Sequence, residues 1–86
     1  MLKLYHVKLP DNNNFLGYDS YSEFVCTAYT EQEARNIHPS GSDGNWSWYG
    51  SWIKLEQIDI LEVTEIGIAT PGTQPHKVIV ASFHAG

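Results

Sequence analysis

The sequence predicts an α+β domain, a mainly antiparallel sheet of about four strands with one short helix, in the order β-β-α-β-β. Three observations predict it. Four stretches are alternating or β-branched, as strands are, and one capping-box sequence marks a helix start. With 86 residues, 42% apolar and 17% charged, the chain has the composition of a folded protein and the length of one small core. Residues 1–86 are therefore expected to form a single domain.

The first two strands are predicted over residues 1–9 and 18–29. In the first, alternate residues face opposite sides until Pro10 ends the run, and turn-forming residues 11–14 follow as a loop. In the second, one face is formed by small or aromatic apolar side chains, namely Phe24, Cys26 and Ala28. The lone cysteine has no partner for a disulfide or a cysteine zinc site, so a buried thiol is expected.

A single short helix is predicted after the second strand. Thr30 and Glu33 form a capping-box sequence, in which the two residues can satisfy each other's free backbone donors at a helix start. Ala34 and Ile37 are spaced to face the core. Pro39 and the glycine that follows should stop the helix after about two turns.

The remaining strands are predicted over residues 52–69 and 77–83. The first alternates apolar residues and should bend or bulge at residues 66–68, where a glycine interrupts it. Residues 71–75 contain the Pro-Gly pair of a turn. The last strand is apolar on both faces, which favours a central position in the sheet.

The formal net charge of −5 argues against a protein that coats DNA or RNA, although an acidic surface that imitates nucleic acid stays open as an alternative. The sequence shows neither a signal-peptide pattern nor an apolar run of membrane-spanning length, so a cytoplasmic location and no membrane partner are expected. Because so small a core is only modestly stable, a homo-oligomer is also expected.

No motif of catalysis is present, and an enzyme is not expected. Cys26 and His38 could form a nucleophile and base, but a mid-strand cysteine is better explained as core. The four histidines are scattered, and no glycine-rich phosphate loop precedes a helix. Neither a metal nor a cofactor is therefore predicted.

Residues 46–52 alternate aromatic rings with small polar residues, and this pattern suits a recognition surface. Trp46, Trp48 and Trp52 could stack on a base or fill a partner's pocket. The alternative is that two of the rings cover a thin core. The sequence leaves both interpretations open.

Two further places could bind a ligand. Arg35 and His38 can share a helix face and receive a phosphate or carboxylate, or Arg35 can simply pair with Glu31 four residues earlier. Tyr18 and Asp19 are either a turn or a hydrogen-bonding pair for a ligand's hydroxyl groups. Against the negative charge of the chain, a phosphorylated ligand would need donors from the backbone or from the few cations, Arg35, Lys54 and Lys77.

Residues 78–86, with the sequence VIVASFHAG, resemble the closing signature of a family of small phage and prophage proteins that end in a VILASFNAG-like string. Nearly the whole chain fits that family's pattern, at Tyr18-Asp19, Phe24-Val25, Ala28, Glu33-Ala34-Arg35, Ile37-His38-Pro39, Trp52, Ile66-Gly67 and Ala69. The chain departs from the pattern at His84, where asparagine is expected, and in its longer tryptophan-rich loop.

The resemblance implies a setting rather than an activity, since small accessory phage proteins often inhibit bacterial immunity. It implies a non-enzymatic protein in the host cytoplasm that sequesters a small nucleotide-like immune signal. The alternative is an inhibitor that docks on a host defence protein through the tryptophan-rich loop and an acidic surface. The residues expected to bind the ligand are Tyr18, Asp19, Arg35, His38, Trp46, Trp48, Trp52, Ser82, Phe83 and His84.

Overall fold

The computed structural model of the protein describes residues 1–10, 20–40, 52–53 and 55–84. Their elements, in chain order, are β1 (Lys3–Lys8), β2 (Ser20–Ala28), α1 (Glu31–Arg35), a 3-10 helix (Leu55–Ile60), β3 (Glu62–Ile68) and β4 (Val78–His84). The strands form one sheet in the order β3-β1-β2-β4, and each neighbouring pair is antiparallel. This confirms the predicted class of a four-stranded antiparallel sheet with one short helix.

One face of the sheet forms the core. The β1–β2 register places Val7 opposite Phe24 and Tyr5 opposite Cys26, and all four side chains are buried, as their alternation predicts. Helix α1 and the segment around the 3-10 helix cover this face with further buried side chains, namely Ala34, Ile37, Trp52, Ile53, Ile58 and Leu61. The core therefore lies between the sheet and a layer of short helical segments.

The Thr30 side chain caps α1 as predicted, but the Glu33 carboxylate bonds the N–H of Tyr29 and not that of Thr30, and the helix is shorter than predicted. The Glu33 backbone N–H donates to Thr30 Oγ1 at 3.1 Å, and Glu33 Oε1 accepts from the Tyr29 backbone N–H at 3.0 Å. The helix ends at Arg35, because Asn36 turns the chain with an N–H bond to the Glu33 carbonyl and an amide bond to the Gln32 carbonyl. The prediction of about two turns ended by Pro39 is therefore wrong, since the C-cap acts first.

The prediction of one strand over residues 52–69 is wrong in its first half. Ile58 is buried while Ile60 is exposed, whereas strand geometry would put both on one face. Ile58 and Leu61, three residues apart, instead share the buried side of a helical turn, so the strand begins only at Glu62. The expected bulge is confirmed, because Ile66 is passed over between the pairs Tyr5–Glu65 and Leu4–Gly67.

The prediction that the last strand is central is also wrong. Among the described strands β4 pairs only with β2, and it forms an edge of the sheet. The connection from β3 to β4, residues 69–77, crosses the end of the sheet from one edge to the other, and we call it the crossing segment. It begins with a turn in which the Thr73 N–H donates to the Thr70 carbonyl at 3.0 Å. Gly72 supplies the positive φ of 93° that this turn needs.

Candidate functional site

The end of the crossing segment is attached to β2 through Thr27, whose side chain is fully buried. Thr27 Oγ1 donates to the Gln74 carbonyl at 2.7 Å and accepts from the Lys77 N–H at 2.9 Å. The Thr27 backbone bonds Lys77 and His76 as well, at 2.9 and 2.8 Å. Four hydrogen bonds to one residue thus hold residues 74–77 in position.

His76 connects the crossing segment to the start of α1. Its φ of 58° is uncommon for a residue with a side chain, although histidine tolerates it better than most. Its Nε2 lies 2.8 Å from Glu33 Oε1, and its ring meets Tyr29 edge to face. The N–H of Tyr29 and the contact with His76 hold the pKa of Glu33 below its usual value, which favours the carboxylate.

His38, in the turn after α1, is buried and forms a hydrogen-bonded corner with Ser40. Its Nδ1 accepts from the Ser40 backbone N–H at 3.1 Å and lies 2.8 Å from the Ser40 hydroxyl. An N–H can only donate, so Nδ1 carries no proton, and burial also lowers the pKa of His38. His38 therefore acts as a neutral ring that shapes the chain at residues 38–40, and it meets Tyr21 edge to face with 6.5 Å between the ring centres.

A cleft of about 430 Å³ separates this turn from the crossing segment. Its walls combine apolar side chains with polar ones, namely Pro39, Ser40, Gln74, Pro75, His76, Lys77 and Val78. A volume of this order matches small-molecule sites in proteins. The cleft offers two proline rings as apolar walls and a hydroxyl, an amide, an imidazole and an ammonium group as polar partners.

A smaller depression of about 150 Å³ lies on the opposite face of the sheet. His6 Nε2 and Glu23 Oε1, 3.2 Å apart, form one side of it, and Val25 and Val80 form the other. Ser82, one of the predicted ligand residues, lies here and not at the cleft. The predicted grouping of the strand end with the helix around one pocket is therefore not seen for Ser82.

Arg35 does not line the cleft. Its Nη1 donates to the carbonyls of Ile58 and Leu61, at 3.0 and 2.6 Å, and so satisfies backbone acceptors at the end of the 3-10 helix. The pairing with Glu31 that the spacing allowed is present as a longer contact, 4.0 Å from Arg35 Nη2. In this arrangement the guanidinium serves the fold.

Trp52 is also part of the fold, with 7% of its surface exposed. Its ring packs edge to face on Phe24, with 5.5 Å between the ring centres. Its indole N–H is buried and has no hydrogen-bond partner among the described residues. Trp52 therefore covers the thin core, which was the alternative to a role in recognition.

Several predicted ligand residues lie outside the described residues, namely Tyr18, Asp19, Trp46 and Trp48. Phe83 and His84 are described only as strand backbone, opposite Tyr21 and Ser20, and their side chains lie outside the description. Sequence reasoning missed Thr27, Gln74 and Pro75. The Pro-rich turn at residues 71–75 was the available signal for Gln74 and Pro75. It predicts only that the chain changes direction there, and not that residues 38–40 form the other wall of the cleft.

Cys26 is fully buried, and burial raises the pKa of its thiol to about 12. A thiol in that environment stays protonated at neutral pH and is a poor nucleophile. The expected buried thiol is confirmed. Within the described part of the chain, no three His, Cys, Asp or Glu side chains group as metal ligands do, and no helix there has the length and apolar character to cross a membrane.

Comparison of the chain with protein-family models, with curated proteins and with solved structures finds no match. The cleft between residues 38–40 and 74–78 is therefore the feature on which a proposed function rests.

Proposed function

We propose that this protein is a non-enzymatic binding protein that holds a small anionic, nucleotide-like ligand in the cleft and so removes it from solution. The single observation that carries the proposal is a 430 Å³ cleft whose lining places Lys77 and His76 beside two proline rings. The resemblance to small phage proteins supplies the setting: an accessory protein that counters bacterial defence by sequestering a nucleotide immune signal.

The walls of the cleft suit such a ligand. Pro75 is exposed and offers a rigid apolar surface on which a flat ring can lie at little entropic cost, whereas Pro39 borders the cleft but is buried. Ser40 and Gln74 place a hydroxyl and an amide at the same cleft. The amide can donate and accept hydrogen bonds, and the hydroxyl, which donates its proton to His38 Nδ1, can accept them. A base and a sugar need this mixture of apolar and polar contacts.

The charges at the cleft favour a ligand with few phosphates. The His76 ring is already engaged, because its Nε2 lies 2.8 Å from the Glu33 carboxylate. Within the described residues Lys77 forms no ion pair, so its ammonium group can meet an anion. The whole chain carries a net charge of −5, which disfavours the binding of further negative charge. A single lysine can therefore balance the charge of one phosphate group better than that of three.

The chemistry of the neighbouring groups supports binding rather than catalysis. The Cys26 thiol is protonated and buried, and the His38 Nδ1 is occupied by the Ser40 N–H. Neither group combines access to the cleft with a free lone pair, as a nucleophile or general base requires.

The test is calorimetric titration with a panel of linear and cyclic mono- and dinucleotides, beside native mass spectrometry before and after denaturation. We expect binding of at least one nucleotide, a loss of affinity of about tenfold or more for Lys77→Met, and no loss for Lys8→Met. The control removes the same charge at a lysine paired with Glu62, away from the cleft. A wild-type protein that binds no nucleotide and releases no small mass on denaturation would overturn the proposal, as would equal losses in both variants.

One observation favours a second candidate function, inhibition of a host defence protein by direct docking. The β3 edge exposes Glu62 and Glu65 beside Ile66 and Ile68, a mixture of charge and apolar surface typical of protein interfaces. Capture of one specific host protein by the wild-type chain, and not by an Ile68→Lys variant, would support docking. Unchanged capture by the variant would exclude this edge.

A further inference from the structure

Of the two edges of the described sheet, the outward side of β4 is the less charged. Residues 78–83 contain no ionisable side chain, although the chain as a whole is acidic. Ile79 and Val80 are 50% and 59% exposed. No described strand pairs with the outer edge of β4, and large apolar side chains on such an edge invite pairing with another strand.

The β3 edge is also exposed but is protected by charge. Glu62 and Glu65 lie along this strand and pair with Lys8 at 4.0 Å and Lys3 at 3.0 Å. Two β3 strands placed side by side would bring carboxylates of the two copies together, which is unfavourable between strands. Like-charged edges of this kind are a common device against edge-to-edge association.

The difference between the edges selects the partner. Two acidic molecules repel each other least where neither carries charge, and β4 is that place. A partner strand on β4 would also cover Ile79 and Val80, which are costly to leave in water in so small a domain.

We propose that β4 is the interface of a homodimer, in which β4 of a second copy pairs antiparallel with it about a two-fold axis. The result is one continuous eight-stranded sheet. Both β3 strands then lie at its outer edges, where Glu62 and Glu65 discourage further addition. The assembly therefore closes at two copies rather than growing into a filament.

The register within the sheet supports pairing along the second half of β4. The strand is interrupted at Ile79, which is passed over between the pairs Cys26–Val78 and Val25–Val80. From Val80 to Ser82 the chain follows β2 residue by residue, and Val80 lies opposite Val25 on the face away from the core. A second shift, at Ser22 of β2, comes before the pair Tyr21–Phe83. A two-fold axis at the start of this half, at Val80, would place Val80 of the two copies opposite each other and bring the Val25–Val80 pairs of both copies into one apolar strip.

The test is sedimentation velocity over a range of concentrations on the wild-type chain and four lysine variants. Ile79→Lys and Val80→Lys change β4; Ile66→Lys and Ile68→Lys are matched controls on β3, where the exposures are 53% and 61%. We expect a wild-type dimer, a rise in its dissociation constant of about 100-fold or more in the β4 variants, and no change in the β3 variants. Circular dichroism checks that each variant is folded.

Hydrogen exchange on the wild-type chain tests the interface without any substitution. Amides of β4 that face away from β2 should become protected as the protein concentration rises, while β3 amides should not. A wild-type monomer at every concentration, an assembly larger than two, or a dimer that the β3 variants dissociate as strongly as the β4 variants would each overturn the proposal.

Discussion

Each edge strand of the sheet is preceded by an irregular segment, and the two segments are held by different chemistry. The 3-10 helix before β3 is held by the Arg35 guanidinium, which donates to the Ile58 and Leu61 carbonyls. The crossing segment before β4 is held by the Thr27 hydroxyl, which both donates and accepts. In each case one side chain from the β2–α1 region satisfies backbone groups that a regular ladder would otherwise satisfy.

The difference follows from what each segment leaves unsatisfied. The end of a helix leaves only carbonyls, which a cation with several donors can collect. The crossing segment leaves one carbonyl and one N–H, which a single hydroxyl can serve. The two attachments should therefore respond differently to substitution, pH and salt.

The largest effect is expected for Arg35→Ala. It removes two charge-assisted bonds and leaves the carbonyls of Ile58 and Leu61 without these donors, which should cost about 2–3 kcal/mol of unfolding free energy in a denaturant titration. Glu31→Gln removes only the 4.0 Å ion pair and should cost less than about 0.5 kcal/mol. Similar losses in both variants would mean that the ion pair, and not the carbonyl bonds, holds Arg35.

Thr27→Val should cost somewhat less, about 1–2 kcal/mol. The valine keeps the shape of the buried side chain but loses both bonds to the crossing segment. The amides of His76 and Lys77 should exchange faster with solvent in this variant. Thr64→Val, at an exposed position of β3, is the matched control and should stay within about 0.5 kcal/mol of the wild type; an equal loss there would remove the special role of Thr27.

Acidification should lower the free energy of unfolding through His38. Because its folded-state pKa lies below the ordinary value of 6.5, the unfolded chain binds the proton more readily. The stability from the neutral ring is present above about pH 6.5 and is lost as the pH falls toward the folded pKa.

Thermal unfolding between about pH 7.5 and 5 checks this expectation. His38→Asn keeps an acceptor for Ser40 but cannot titrate, so its stability should vary less with pH than that of the wild type. Glu33 should not contribute to the change in stability over this pH range. Because its pKa is lowered in the folded protein, the stability that its carboxylate provides is lost only below about pH 4.5. A wild-type slope in His38→Asn would contradict the assignment.

The smallest effect is expected at the ion pairs of the β3 edge. Lys3 Nζ lies 3.0 Å from Glu65 Oε1, and this hydrogen bond raises the pKa of Lys3. Since both groups are solvent-accessible, a double-mutant cycle with Lys3→Met and Glu65→Gln should show a small coupling that molar salt removes. Coupling that persists in high salt would indicate a contact less exposed than the one seen.

By itself, the sequence determined the fold class, the core faces of β1 and β2, the start of α1, the turn at Gly72 and the bulge at Ile66. Each of these depends on residues close together in the chain, through side-chain alternation, capping or the permitted sign of φ. The buried state of Cys26 follows from the same alternation.

Only the tertiary structure decided which strand lies at an edge, where residues 52–61 turn helical, and what Arg35 and Thr27 bind. An apolar run such as β4 is compatible with either a central or an edge position, and the crossing segment settles the matter by where it carries the chain. Arg35 meets its carbonyls 23 and 26 residues away, and Thr27 meets its partners 47 and 50 residues away. The cleft joins residues 38–40 to residues 74–78 in the same way. Such pairings depend on the packing energy of the whole chain, which no local pattern encodes.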